Sequence, residues 1–395
     1  PALFLSSFQP VKVLKGRGSN SGGNVFFRNA LVVTQFVISI ALIIGTVVVL
    51  NQMHFIRNKN LGYDKENLLC MQLSGELASN QKLLKETLLN NPLTSNAAIV
   101  TELPINFNGA TLSFEWEGKD PNFKPIFYQM GVDEKFMNVF KTQLISGRNF
   151  SKDLQTDSSN FILNEKAVTM MGLTPKTALG KRFVLWGATG NIVGVVKDFN
   201  FKGMQSAIDP MILRVSYGEW VVVKAQAGKT EATIKALEKI NAQLNPYYPF
   251  SFRFLDETLN NQYKGEQRMG SLFNIFAVVA IFISCLGLYG LSAFMAEQKN
   301  KEIGVRKVLG ANFGNIIYLL SRNFTMLLFV AMLIAVPLSI YAMNTWLNGF
   351  AYRTNISWWI PVAACICALV VAGITVSYES IKAAMANPVK SLRSE

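Results

Sequence analysis

Four stretches of this chain, residues 31–50, 271–295, 326–347 and 358–377, contain no Asp, Glu, Lys or Arg and are strongly apolar. Each is 20 to 25 residues long, and a helix of about 20 apolar residues covers the hydrocarbon core of a bilayer. A chain with four such stretches folds as a membrane protein with four transmembrane helices. The composition agrees: only 16% of residues are charged, against about a quarter in soluble domains. The first stretch is not a signal peptide, because it is too long for an h-region, begins thirty residues in and lacks an Ala-x-Ala cleavage site. The chain begins at Pro1 rather than Met, as expected of a fragment of a longer product.

Charge orients the helices. Residues 1–30, 296–325 and 378–395 together carry twelve Lys/Arg and four Asp/Glu, whereas residues 51–270 carry 25 and 21. The positive-inside rule puts the three short basic segments, and with them both termini, in the cytoplasm. The long segment is then extracytoplasmic. The formal net charge of +13 needs no nucleic acid as partner, since no basic stripe interleaved with aromatics accompanies it.

Residues 51–270 read as an α+β domain. At one end, apolar runs at 66–73 and 97–103 flank helical spacing at 80–89. At the other, a β-branched run at 220–225 precedes a helix at 230–244, which Asn245 and Pro246 stop, and an alternating run at 250–255. Two β-α-β units bracketing an insert predict a split ferredoxin-like lobe. The insert, about 104–218, predicts a mainly-β lobe with strands at 111–116, 126–132, 161–163, 182–185, 192–196 and 211–215, and short helices at 134–140 and 165–171. Residues 52–57 extend the first span, and Leu259, Tyr263 and Met269 share a face of a polar helix entering the second. The two extensions predict a stalk. Of the four cysteines only Cys70 falls outside the spans, which excludes an intrachain disulfide there. With His54 as the single histidine, neither a metal site nor a Ser/His/Asp set is expected. Gly228-Lys229-Thr230 imitates the end of a P-loop, but Val223 stands where its first glycine belongs. No cofactor is expected.

Between the second and third spans lies Glu297-Gln298-Lys299-Asn300-Lys301-Glu302-Ile303-Gly304-Val305-Arg306-Lys307-Val308-Leu309-Gly310-Ala311. Glu302 and Arg306 are spaced to pair along a helix. Ile303, Val305, Val308 and Leu309 are too apolar for a merely solvated face. Gly310 suits an αL cap and Asn312 the N-cap of the next helix. On charge alone a topology signal or a helix lying on anionic lipid is the better reading, but Gly304 and Gly310 with the interleaved Ile, Val and Leu, at this place in the topology, argue against it. A second pattern, P-V-K-x-L-[KR], occurs at Pro10–Lys15 and again at Pro388–Arg393. Its repetition at equivalent topological positions implies that residues 1–15 are the tail of a preceding repeat. In the fourth span Ala364, Ala368 and Ala372 recur every four residues, a spacing that lets helices pack closely. Pro337 is expected to bend the third span.

The segment K-x-K-E-I-G-V-R-K-V-L-G-A resembles the cytoplasmic signature of MacB/FtsX-type ABC transporter permeases. Gly147-Arg148-Asn149-Phe150 and Gly194-Val195-Val196-Lys197-Asp198-Phe199-Asn200-Phe201 resemble parts of the periplasmic core domain of that family. The resemblance covers essentially the whole chain. It implies the second, C-terminal repeat of a duplicated permease in the bacterial inner membrane, with no enzymatic activity of its own. Its implied partners are an ABC ATPase subunit, which residues Lys301 to Gly310 would contact, the preceding permease repeat or a second permease copy, a periplasmic adaptor and membrane lipid. The implied mechanism is mechanotransmission, coupling cytoplasmic ATP hydrolysis to movement of the outer domain for export or extraction of a peptide, lipoprotein, lipid or toxic compound. MacB itself departs from this pattern by fusing its nucleotide-binding domain to a single four-span unit. Two alternatives stay open: an FtsX-like regulator of an exported cell-wall hydrolase, and a membrane receptor with an outer sensing domain.

Overall fold

The computed structural model describes residues 21–105, 107–299, 302, 306 and 312–385; both copies of the P-V-K-x-L-[KR] pattern lie outside these. The described residues fall into two compact units. One is helical and includes everything up to Met53, Glu266–Asn348, and the chain from Thr354 onward. The other is mixed α/β and comprises His54–Gly265 together with Gly349–Arg353.

Helix α1 (Ser21–Asn58) leads into the mixed unit. There β1 (Leu68–Gln72), α2 (Gly75–Ser79), α3 (Gln81–Leu89) and β2 (Ala97–Val100) form the first half of the ferredoxin-like lobe. The insert follows with β3 (Ala110–Thr111), β4 (Phe114–Trp116), β5 (Phe127–Val132), α4 (Phe136–Phe140) and β6 (Leu144–Gly147). It continues with β7 (Phe161–Asn164), α5 (Glu165–Met170), β8 (Arg182–Leu185), β9 (Ala188–Val196) and β10 (Met211–Val215). The lobe closes with β11 (Trp220–Lys224), α6 (Thr230–Leu244), β12 (Arg253–Phe254) and α7 (Leu255–Gln262).

The strands run β12-β1-β11-β2-β5-β10-β7-β9-β8-β4, with β3 on β5 and β6 on β9. Among the first four each strand runs antiparallel to its neighbour, and they stand in the order of a split βαβ lobe. Strand alternation presents Leu69 and Met71, Ala97 and Ile99, and Val221 and Val223 to one face. Leu77, Leu84, Leu88, Leu237 and Ile240 from the helices cover that face. The opposite face is buried as well, with Cys70, Ala98 and Val222 fully enclosed, and α4 packs on β2 and β11 there. The insert has its own core of Phe114, Phe127, Phe161, Phe183, Ile192, Val195 and Ile212, closed by Ala167 and Val168 of α5.

The two cores are separate, but the hydrogen-bonded path is not. β2 meets β5 at the single register pair Val100↔Val132, so the insert strands extend the same path. The stretch 111–116 is two strands rather than one: β3 pairs with β5 and β4 with β8. The Ser113 N–H turns back onto Thr111 Oγ1 at 3.1 Å between them. At the sheet edge, 250–255 shortens to Arg253 and Phe254, which pair with β1 at only two positions. β6 has no counterpart in the sequence reading because its residues are mostly exposed and carry no apolar alternation.

The helical unit is completed by α8 (Lys264–Gln298), α9 (Phe313–Leu347) and α10 (Trp359–Met385). Among the described residues four helices are long and apolar enough to cross a membrane, over Phe26–Asn58, Lys264–Gln298, Ser321–Leu347 and Trp359–Tyr378. Val32, Phe36, Ile40, Ile44 and Val48 of α1, spaced four apart, meet Phe324, Leu328, Ala331 and Ala335 of α9 in one core. Outward-facing residues such as Phe282, Leu333 and Ile374 are exposed and apolar, the arrangement that suits a lipid surround. A polar contact joins α1 to α8, with Ser39 Oγ and Ser284 Oγ 3.1 Å apart. Helix α9 runs through Pro337 without interruption. Asn312 takes its N-cap position but makes no side-chain capping bond. The polar helix before the second span is not continuous with it: α7 ends at Gln262, Tyr263 breaks the ladder, and α8 starts at Lys264.

Candidate functional site: a joint where three chain crossings meet

Of the residues predicted to contact an ATPase, Glu302 and Arg306 are helical and paired, Arg306 Nη2 donating to Glu302 Oε1 at 2.8 Å. Lys301, Ile303, Gly304, Val305, Lys307, Val308, Leu309 and Gly310 lie outside the described residues. Ala364, Ala368 and Ala372 are buried, at 1%, 6% and 7% exposure, in the core shared with α1 and α9.

A second constellation emerges in the mixed unit, around the loop that follows β9. Its sequence, from Lys197 to Gln205, continues the Gly194–Phe201 motif. From the α1 side, the Asn200 N–H donates to the Leu61 carbonyl at 2.7 Å. Gly62 sits beside it at φ +84, where a Cβ would lie 2.7 Å from the Asp198 carbonyl oxygen and from Phe199 Cα. Only glycine meets both conditions, a left-handed backbone and contact at the backbone surface. The adjoining Tyr63 presses its ring edge-on to Phe140 and Phe199 and donates its hydroxyl to the Pro104 carbonyl at 3.1 Å. The Asp64 N–H is held by the Phe140 carbonyl at 2.7 Å.

From the α8 side, the hydroxyl oxygen of Tyr263, the residue at the helix break, accepts the Met204 N–H at 2.7 Å. From the α9–α10 connection, the Tyr352 N–H donates to the Met204 carbonyl at 3.1 Å and the Ala351 N–H to the Gln205 carbonyl at 3.2 Å. Lys59 Nζ, one residue beyond α1, stands 4.3 Å from the Tyr352 ring centroid, within cation–π range. Met204 is itself buried, at 1% exposure. One short loop of the insert is thus bonded to three segments of the mixed unit, at Leu61, at Tyr263 and at Ala351–Tyr352, each of which lies close in sequence to a long apolar helix. Main-chain hydrogen bonds to a buried loop fix position closely, because losing one leaves an orphaned polar group.

Charge reinforces the joint. Asp64 lies between Lys141 Nζ at 2.8 Å and Lys224 Nζ at 2.9 Å. Burial by itself raises the Asp64 pKa, but the hydrogen bonds from the two ammonium groups outweigh it and bring the carboxyl down to about 2. Asp198 accepts the Lys166 N–H at 2.9 Å, and burial holds its pKa above the usual value. In the Gly147–Phe150 motif, Arg148 forks onto buried Asp157 at 2.6 and 2.7 Å. Asp157 also accepts from the Ser151 N–H and the Asn160 amide. The guanidinium hydrogen bond leads in lowering its pKa to about 2.

Sequence reasoning found the Gly194–Phe201 motif but not its partners. Gly62, Met204, Tyr263 and Tyr352 act mainly through backbone geometry or a single hydroxyl, which leaves no periodicity. The available signal was the glycine in Lys59-Asn60-Leu61-Gly62-Tyr63 just past an apolar span, and a lone aromatic, Tyr263, in a polar helix.

Two family models match: the MacB-like periplasmic core domain over residues 30–240 and the C-terminal region of FtsX-like permeases over residues 274–388. The chain therefore belongs to the MacB/FtsX-type ABC transporter permeases, membrane proteins with a periplasmic core domain. Among its relatives is the macrolide export ATP-binding/permease protein MacB of Sodalis glossinidius (strain morsitans), 24% identical over 303 residues, covering 73% of this chain and 46% of that protein. An uncharacterized ABC transporter permease of Bacillus subtilis (strain 168), YknZ, is 21% identical over 278 residues, covering 67% of this chain and 69% of that protein. The chain spans about half the length of the MacB proteins it matches. The solved periplasmic region of MacB from Actinobacillus actinomycetemcomitans aligns with a TM-score of 0.37 at 16% identity, covering 53% of this chain and 97% of that one.

Proposed function

We propose that this chain is a force-transmitting permease half, which turns movement imposed in the cytoplasm into movement of its periplasmic domain. The observation that carries the reading is the joint at Lys197–Gln205, bonded to the chain beside α1, α8 and α9. In this reading both termini and residues 296–325 are cytoplasmic. A separate ABC ATPase binds the segment Lys301 to Gly310, and a preceding permease repeat or a second copy completes the membrane assembly. Closure of the ATPase on ATP shifts the coupling segment, and the long helices pass that shift to the joint. A receptor would need no such rigid hold on three crossings. Cargo is handled on the periplasmic side, where an adaptor would receive it; a peptide, lipoprotein, lipid or toxic compound suits this route.

The test lies at the coupling segment. Val308→Glu places a charge in a contact from which water is excluded, and an unpaired charge there costs several kcal/mol, or about 3–5. ATPase association should weaken by orders of magnitude. Lys299→Ala, at the solvated rim, should cost less than about 1 kcal/mol. Co-purification of the ATPase with each variant reads the difference, and equal effects of the two would reduce the segment to a topology signal.

A further inference from the structure

Beside the joint the mixed unit opens into a cavity of about 580 Å³, whose wall includes Lys59, Lys141, Lys197, Asp64, Asp198 and Tyr352. We infer that this cavity binds an anionic phosphate ester, such as a phospholipid headgroup that carries no compensating cation.

The case starts from charge. Asp64 is matched twice over, by Lys141 at 2.8 Å and by Lys224 at 2.9 Å, so it draws on neither of the other two lysines. Lys197 is exposed and makes no ion pair or side-chain hydrogen bond among the described residues. Among the described residues the Lys59 ammonium meets aromatic faces alone, Tyr352 at 4.3 Å and Phe55 at 5.2 Å. Asp198 is turned to the Lys166 N–H at 2.9 Å. The wall therefore offers two ammonium groups without a carboxylate partner, one of them propped by rings and so held in place. Lysine binds phosphate as a point charge without the planar fork that a carboxylate favours. The space is too large for a bare ion and suits a headgroup.

Position supports the same ligand. Lys59 directly follows α1, and Tyr352 is five residues beyond α9. At no more than about 3.5 Å per residue, the chain keeps Tyr352 within about 18 Å of the end of that apolar helix. Arg57 and Lys59 also place cations on the side that the positive-inside rule leaves poor in them. A phosphate on the membrane surface gives those cations a counter-charge. The lipid as source rests on the orientation proposed above, whereas binding of phosphate as such does not.

The experiment uses the full chain purified in neutral detergent. Native mass spectrometry compares retained phosphatidylglycerol with zwitterionic phosphatidylcholine, and calorimetry follows sn-glycerol 1-phosphate and inorganic phosphate. The wild type should prefer phosphatidylglycerol by about tenfold or more, as charge complementarity of this kind gives. Lys59→Gln/Lys197→Gln should abolish the preference, the Arg/Arg pair should keep it, and Lys152→Gln, an exposed lysine away from the cavity, should leave it unchanged. If the double Gln variant melts early, Lys197→Gln alone, at an exposed position, reads the same effect. Glycerol phosphate bound with the same dependence on Lys59 and Lys197, without lipid preference, would assign the site to a soluble phosphate ester and uphold its chemistry. Absence of binding by every probe, binding indifferent to the double variant, or an equal loss in Lys152→Gln would overturn it. None of these outcomes depends on whether the ATPase binds residues 301–310.

Discussion

Arg148 and Asp157 show what a single pair does in this domain. Both carboxylate oxygens are engaged, at 2.6 and 2.7 Å, and the Asp157 side chain is only 2% exposed. Its carboxyl, held near pKa 2 in the fold, returns to the ordinary range of about 3.9 on unfolding. A depressed folded pKa contributes stability that is fully present above the unfolded value and is lost as pH falls through the folded one. The domain should therefore lose stability between about pH 4 and pH 2. In Asp157→Asn that acid-dependent loss should be smaller, while stability at pH 7 falls because Arg148 loses its partner. Thermal melts across this range read both effects; an unchanged pH profile in the variant would contradict the assignment. Asp64 contributes in the same window, since its carboxyl is also near 2.

At the level of elements, what was legible in the sequence depended on burial. Helix α6 and strands β8 and β10 match the sequence expectation closely because apolar residues recur at the right spacing. The four apolar helices were equally plain, since a charge-free run of 20 residues has few other uses. Elements held by backbone bonds rather than by a buried face were not legible. β6 is one, the break at Tyr263 another, and the division of 111–116 into β3 and β4 a third. The joint belongs to this class, which is why its motif was noticed as a resemblance while its partners went unseen.

Helix α10 carries a prediction of the same kind. Ala364, Ala368 and Ala372 sit in the core with α1 and α9, and we propose that their small size sets the approach of α10 to its neighbours. Ala368→Phe should overpack that seam at a cost of about 1–3 kcal/mol, read as reduced resistance to denaturation in detergent. Ala363→Phe, at an exposed position on the same helix, should be nearly neutral. Equal behaviour of the two would remove the packing role.

For the whole molecule, orientation comes first. Cysteines introduced at Asn149 and Asn355 should react with an impermeant thiol reagent from outside intact cells, and one at Asn300 should not. Labelling at Asn300 would invert the topology and with it the direction of force. Within the mixed unit, the Lys197–Gln205 loop donates hydrogen bonds to Leu61 and Tyr263 and accepts them from Ala351 and Tyr352. Rigid helices and main-chain hydrogen bonds transmit displacement without dissipating it, provided the element they drive has two arrangements.

The most direct test of force transmission is a distance. Spin labels at Asn355, in the helical unit, and at Lys176, on the insert lobe, report movement between the two units in a chain whose native cysteines are replaced. In the complex with its ATPase, the ATP-bound and ADP-bound states should give resolved, different distance distributions, and Val308→Glu should erase the difference. Identical distributions in the two states, with ATP hydrolysis proceeding normally, would contradict the account.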